Sequence, residues 1–378
     1  MTNLITGVEI RTCFGESEAT FEALAEGRSG AGELRHVDSG RLGVNRGYHV
    51  GDAPDEALLR ASDWLSDCVA SAVAQSGIDV MRARVAVVVG TGLRELRAVE
   101  RLDEPGVTLR TAQLHFTEAV RQVLPDATEV ITVCNACSAS GHALALACDL
   151  LDLDEADAVV AAGCDAMTES MLAMIGRVSD EPTDQLRPFD DERMGVLLGE
   201  GAAAVVLERG DRPRTGRGPV LGEVLGVGLS CDAFHETAPQ PEGIARAMRD
   251  AHERAGVTLG DVDLVVAHAT GTALNDPTEA GVLSEVFATA SPGPVVTGIK
   301  GSTGHTSGSA ALMSVAVALR ALAGRPVPAI TGLRRPLPEA QALRLVIGAP
   351  ATVAVRVAQV NAFGFGGVNA VCMIGGAS

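Results

Sequence analysis

The stretch Val133-Cys134-Asn135-Ala136-Cys137-Ser138-Ala139-Ser140-Gly141 joins a short apolar run, Glu129 to Val133, to an Ala- and Leu-rich helical pattern, Ser138 to Leu151. A strand that runs through a cysteine straight into a helix predicts an α/β protein with thiol chemistry at the junction. The same alternation continues outward. Further strand runs are Val85 to Val89, Ala158 to Ala162, Ala202 to Leu207, Leu221 to Val227, Leu264 to Ala267, Val295 to Gly298 and Val353 to Asn361. Helical patterns lie at Glu56 to Gln75, Glu242 to Ala255, Asp276 to Phe287 and Thr306 to Leu322. The Pro- and Gly-rich segment Gly210 to Pro219 separates two halves of similar element order. This predicts a duplicated α/β unit, with halves at 1–210 and 219–378.

A chain of 378 residues, 47% hydrophobic and with net charge −18, is long enough for a large core. The acidic balance argues against nucleic-acid binding, because phosphate neutralisation needs a basic stripe. The local exception is Arg212, Arg214 and Arg217, readable as a contact for an acidic partner or as a solvated connecting loop. No apolar run approaches a membrane span, and Met1 to Glu16 lacks a basic start followed by an apolar stretch, so a cytoplasmic location is expected. Eight cysteines scattered through apolar segments do not make a disulfide scaffold.

Of the 30 basic residues only Lys300 is a lysine. A guanidinium cannot replace a compact ammonium that shares a proton, which gives the exception a chemical reason. Lys300 opens the loop Lys300-Gly301-Ser302-Thr303-Gly304-His305, just after a strand run and before a helical pattern. His268 stands at a second such junction, followed by Ala269-Thr270-Gly271-Thr272 and the helix start Asn275-Asp276-Pro277. Cys137 stands at a third, where a helix amino terminus is expected to lower its pKa and make it a nucleophile. Each residue alone reads equally as structural; together at strand-to-helix junctions they mark an active site. Cys134 and Cys137 lack a second paired-cysteine element, so no metal is expected. Gly90-Thr91-Gly92 has Glu95 where a dinucleotide fingerprint needs its third glycine, and Gly364-Phe365-Gly366-Gly367 precedes no βαβ unit, so no cofactor is expected.

Over nearly its whole length the chain resembles the β-ketoacyl synthase (ketosynthase) family of the thiolase-like fold. The resemblance is carried by Ile5-Thr-Gly-Val with Phe21-Glu-Ala-Leu and Gly27-Arg-Ser-Gly30, Ala136-Cys137-Ser138, Pro188-Phe-Asp-Asp-Glu-Arg193 with Gly199-Glu-Gly-Ala202, His268-Ala-Thr-Gly-Thr272 with Asp276-Pro-Thr-Glu279, Lys300 to His305, and Asn361-Ala-Phe-Gly-Phe-Gly-Gly-Val-Asn369. It implies two pseudo-repeated halves in a layered α-β-α-β-α architecture. It implies that Cys137 accepts an acyl group from an acyl carrier protein or coenzyme A thioester, and that His268 and His305 promote decarboxylation of a malonyl-type extender. Lys300 is then expected to pair with Glu279, the N–H groups of Cys137 and Phe363 to form an oxyanion hole, and Phe363 with Gly364 to gate the acyl pocket. Ser230 to Thr237, with Asp232, His235 and Thr237, is similar to the mobile loop beside that gate. The expected activity is decarboxylative Claisen condensation by a stand-alone synthase in fatty acid or polyketide-type biosynthesis, as a homodimer or with a related subunit. The alternatives are an acyltransferase that forms an ester or amide, and a non-catalytic partner subunit. Met194, Asn275 and Gly301 depart from the family pattern.

Overall fold

The structure, a computed structural model, describes residues 2–35, 37, 39–51, 57–178 and 183–377. The strands are β1 (Asn3–Arg11), β2 (Val85–Gly90), β3 (Glu129–Val133), β4 (Ala158–Asp165), β5 (Gly201–Arg209), β6 (Gly222–Cys231), β7 (Leu264–Val266), β8 (Val295–Thr297), β9 (Arg344–Leu345), β10 (Val357–Gly364) and β11 (Val368–Gly375), and β2, β4, β5, β7 and β8 are runs buried along their whole length. The helices used below are α1 (Arg60–Ser76), α2 (Ala139–Asp152), α3 (Glu169–Val178), α4 (Pro241–Ala255), α5 (Asn275–Val286) and α6 (Ala310–Leu322). Among the described residues the eleven strands are hydrogen-bonded in the order β9-β8-β7-β10-β11-β6-β1-β5-β4-β2-β3.

Outward from the middle, each half repeats one pattern. β1 is antiparallel to β5 and β5 to β4, while β4, β2 and β3 run parallel. In the same way β6 is antiparallel to β11 and β11 to β10, while β10, β7 and β8 run parallel. The halves meet where Asn3–Ile5 pairs with Gly222–Val224.

Side chains alternate across each strand, and the two faces belong to different cores. Ala86 and Val88 of β2, Ala203, Val205 and Leu207 of β5, and Ala358 and Val360 of β10 share one core with Leu144 of α2 and Leu312 of α6. Val85, Val87 and Val89 turn the other way, onto Trp64, Leu65 and Val69 of α1. In the second half Val265, Val371 and Met373 turn onto Ile244 and Met248 of α4 and Leu283 of α5. The layers are therefore helix, sheet, helix pair, sheet, helix, the thiolase-like arrangement, with α2 and α6 shared by both halves.

Several boundaries differ from expectation. The run Val353 to Asn361 forms a strand only from Val357, where Asp263 accepts the Arg356 and Val357 N–H groups, and it continues to Gly364 through its ladder with β11. β1, β9, β11 and α3 add to the expected set, and Glu56 lies outside the described residues. In the connector, Arg212 pairs with Asp154 and Arg214 with Glu208, so these two cations are engaged within the chain.

Truncating a fully buried side chain in the shared layer should be felt by both halves. Leu144→Ala is expected to cost about 2–5 kcal/mol in urea unfolding; a loss below about 1 kcal/mol would contradict a close-packed middle layer.

Candidate active site

Cys137 lies on a short 3₁₀ turn, Ala136–Ser138, between β3 and α2. Ala136 before it has φ 48, as Ala269 after His268 has φ 45 and Ser307 after His305 has φ 51. Non-glycine residues in the left-handed region each cost about 1–3 kcal/mol. That three such turns converge on one place marks it as a held geometry.

Cys137, His268, His305, Phe363, Gly364 and Thr237 line one cavity. Lys300 stands behind His268: its ammonium donates to the His268 carbonyl and lies 3.4 Å from Nδ1 of the same residue. An ammonium has no acceptor, so Nδ1 receives the hydrogen bond, the ring proton sits on Nε2, and His268 presents a donor. The rings of His268 and His305 stand edge to face with centroids 5.4 Å apart. Among the described residues neither ring nitrogen of buried His305 has a protein partner, leaving both for a substrate.

The expected pairing of Lys300 with Glu279 is not a direct contact. The Glu279 carboxylate accepts the N–H groups of His268 at 2.7 Å and Ala269 at 2.8 Å, and the Asn361 amide at 3.0 Å. Glu279 thus holds the main chain of the histidine loop from one side, and Lys300 holds its carbonyl from the other. Asp276 takes the next two N–H groups, of Thr270 and Gly271. Asn275 donates to both carboxylates, at 3.2 and 3.5 Å. Gly301 is required, because a Cβ there would collide with the Thr331 carbonyl. Met194 is 40% exposed and joins no part of this network.

Burial controls the protonation states. It pushes the Cys137 thiol up to about 11, with Lys300 opposing and Asp165 reinforcing the shift. The lowered thiol pKa expected of a helix start is therefore overturned: the short turn does not offset desolvation. Burial also brings Lys300 down to about 8, against the pull of Glu279. His268 and His305 are held well below the ordinary imidazole range, by burial first and by Lys300 second. At neutral pH the centre holds a thiol, two neutral imidazoles and one ammonium.

The assignment of Phe363 is corrected. Phe363 is 5% exposed inside β10, with its ring 5.5 Å from that of His268. The N–H groups that meet the Cys137 sulfur are those of Phe365 and of Cys137 itself. Phe365 is 40% exposed over the cavity and precedes Gly366, whose φ is 83. The loop of Asp232, His235 and Thr237 lies beside this turn. Asp232 donates its N–H to the Gly367 carbonyl, and Glu236 accepts from the Gly366 N–H. Asp232 is anchored by Asn369, only Thr237 lines the cavity, and His235 accepts the N–H groups of Thr237 and Ala238 outside it.

The far wall of the cavity is apolar: Met171, Met174 and Ile175, at i, i+3 and i+4 on one face of α3, with Val196 and Leu198. Sequence reasoning missed these residues, whose helical spacing was the available signal.

A thiolase-like fold with a cysteine from one half facing two histidines from the other defines a thioester-handling condensing protein. The Beta-ketoacyl synthase, N-terminal domain model matches residues 48–212 and the Beta-ketoacyl synthase, C-terminal domain model residues 221–334. The chain belongs to the β-ketoacyl synthase family, a family of condensing transferases. Nodulation protein E of Rhizobium meliloti is 34% identical over 301 residues, covering 76% of this chain and 74% of the relative. The 3-oxoacyl-[acyl-carrier-protein] synthase 2 of Coxiella burnetii is 26% identical over 400 residues, covering 97% and 96%. Among solved structures the ishigamide ketosynthase/chain length factor superposes with TM-score 0.89 at 28% identity, over 100% of this chain and 99% of the other. A type II polyketide synthase acyl-carrier protein in complex with its ketosynthase shares the fold, with TM-score 0.86 at 18% identity over 100% and 99%. Among the described residues no helix is long and apolar enough to cross a membrane.

Lys300 is a cation that lowers the thiol pKa, so its removal raises that pKa further. Lys300→Met should slow iodoacetamide alkylation of Cys137 at neutral pH, below the Lys300 pKa of about 8, by about tenfold for each pKa unit of the rise; an unchanged or faster reaction would show that Lys300 does not act on the thiol.

Proposed function

We propose that this chain catalyses decarboxylative Claisen condensation. The observation that carries the reading is the pair of buried, neutral imidazoles facing Cys137, with both His305 ring nitrogens unpartnered among the described residues. Cys137 attacks an acyl thioester; a carbon–sulfur bond forms to the enzyme, and the leaving thiol departs with the proton that Cys137 gave up. A malonyl-type thioester then enters, and its carbonyl oxygen takes hydrogen bonds from His268 Nε2–H and from His305. The carbon–carbon bond to its carboxylate breaks, carbon dioxide leaves, and the electron pair becomes an enolate held by those donors. The enolate carbon attacks the acyl-cysteine carbonyl, whose oxygen takes the Cys137 and Phe365 N–H groups. Collapse releases the β-ketoacyl thioester and returns the Cys137 sulfur, which regains its thiol proton by taking one up from water, since the malonyl carboxylate brings none.

Neutral imidazoles suit this chemistry: a charged pair would pay desolvation, and a strong base is not needed when carbon dioxide is the leaving group. The wall of Met171, Met174 and Ile175 supports an acyl chain as the group on Cys137. Thr270, Thr272, Thr237 and Asn369 along the approach support an amide-bearing arm such as that of an acyl carrier protein or coenzyme A. The outer edge of β3, with Val130, Ile131 and Val133 only partly covered, supports association with a second subunit, a like or a related chain.

His268→Ala and His305→Ala should still be acylated on Cys137 but release carbon dioxide from a malonyl thioester about 100- to 1000-fold more slowly. Acyl-enzyme formed by mass spectrometry and carbon dioxide released are measured separately. A wild-type chain that is acylated, releases no carbon dioxide and passes its acyl group to an amine or alcohol would replace condensation with the ester- or amide-forming reading.

A further inference from the structure

Asp165, at the end of β4, is 1% exposed and takes no part in the reaction drawn above. Its Oδ1 accepts the Thr91 hydroxyl at 2.6 Å and the Leu93 N–H at 2.8 Å. Its Oδ2 accepts the Gly92 N–H at 2.8 Å and the Gly308 N–H at 2.6 Å. Three of these donors follow β2, in the half that carries Cys137. The fourth lies in the turn after His305, in the other half. The two loops touch without side chains between them: a Cβ on Gly308 would stand 2.5 Å from Thr91 Cα and 2.6 Å from the Gly92 nitrogen, and one on Gly92 would collide with the Ser307 hydroxyl. Between Gly308 and His305 sits Ser307, whose left-handed backbone needs an external hold. A carboxylate accepting from both sides of the joint supplies it, and charge-assisted bonds are about twice as strong as neutral ones.

We propose that Asp165 is a positioning residue that fixes the His305 turn of one half against the loop of Thr91, Gly92 and Leu93 in the half that carries Cys137. This rests on reading the site as a condensing centre. The Gly90-Thr91-Gly92 segment, which fits no dinucleotide site, thereby gains a role: its small residues let the two loops meet, and the Gly92 N–H and the Thr91 hydroxyl face the carboxylate. Asp165 also faces Cys137 and adds to the burial that raises the thiol pKa. The other titratable groups that feel its charge are Glu95, from the loop after β2, and Cys164, its neighbour on the same strand with its side chain on the opposite face.

Burial raises Asp165 to about 6, against the hydrogen bonds of Thr91, Gly92, Gly308 and Leu93. The joint needs the ionised form, so it is complete above that pH and is lost as pH falls through about 6. Removing a donor raises the pKa and moves the loss to higher pH.

The test measures carbon dioxide release from a malonyl thioester and iodoacetamide alkylation of Cys137, both against pH, in Asp165→Asn, Thr91→Val and Thr91→Ser. Asp165→Asn is expected to release carbon dioxide at least about tenfold more slowly at neutral pH, as small misplacements of reacting groups do, while its Cys137 alkylates at lower pH because a neighbouring negative charge is gone. Thr91→Val should move the acid limb of carbon dioxide release to higher pH, and Thr91→Ser, which keeps the hydroxyl, should restore the wild-type profile. A general loss of packing would lower melting temperature without moving either profile. Carbon dioxide release by Asp165→Asn within about twofold of wild type overturns the proposal. Where that variant does not fold, superimposed profiles for Thr91→Val and Thr91→Ser overturn it. A wild-type chain that releases no carbon dioxide overturns the condensing reading instead; an unmoved alkylation profile in Asp165→Asn then decides against Asp165.

Discussion

Exclusion of water from four side chains sets the chemistry of this centre. Cys137, His268, Lys300 and His305 are between 3% and 8% exposed, and for each the dominant influence on protonation is the cost of carrying charge there. Desolvation raises the thiol and lowers the two imidazoles and the ammonium. The result is a nearly neutral set with one cation, Lys300, which donates to His268 and whose charge acts on the thiol and both imidazoles. An arrangement of hydrogen-bond donors that need not reorganise is the means by which a buried site stabilises a developing oxyanion.

The duplicated fold makes that exclusion possible. Each half brings strand ends and helix starts to its carboxyl edge, as open α/β sheets do, and α2 and α6 seal the two halves into one core. The nucleophile comes from the first half and the histidines from the second, so the reacting groups meet only where the halves meet. Buried carboxylates hold the loops at that seam: Glu279 and Asp276 bind the main chain from His268 to Gly271, and Asp165 spans the seam itself.

Much of this was legible in the sequence. Strands covered on both faces, such as Val85 to Val89 and Ala158 to Ala162, announce themselves as unbroken apolar runs. Cys137, His268 and His305 were found from their junctions because the order strand, reactive residue, helix is local. β1 was hidden by Gly7, which sits at a register shift against β5. What is not local could not be read. Two phenylalanines two residues apart look alike in sequence, and only the turn at Gly366 brings the N–H of Phe365 rather than Phe363 onto the sulfur. The pKa of Cys137 is not legible in sequence, because a helix start can be seen there and burial by a distant half cannot. Asp165 gave no signal, since three of its four donors are backbone N–H groups drawn from two separate loops.

Stabilisation of the enolate requires His268 and His305 to be neutral hydrogen-bond donors at working pH. Nitrogen-15 NMR of imidazole-labelled protein, with His268→Ala and His305→Ala used to assign the two signals, measures this directly. Both rings are expected to stay neutral as pH is lowered through the ordinary histidine value of 6.5. A ring that gains its proton at or above that pH would contradict the account.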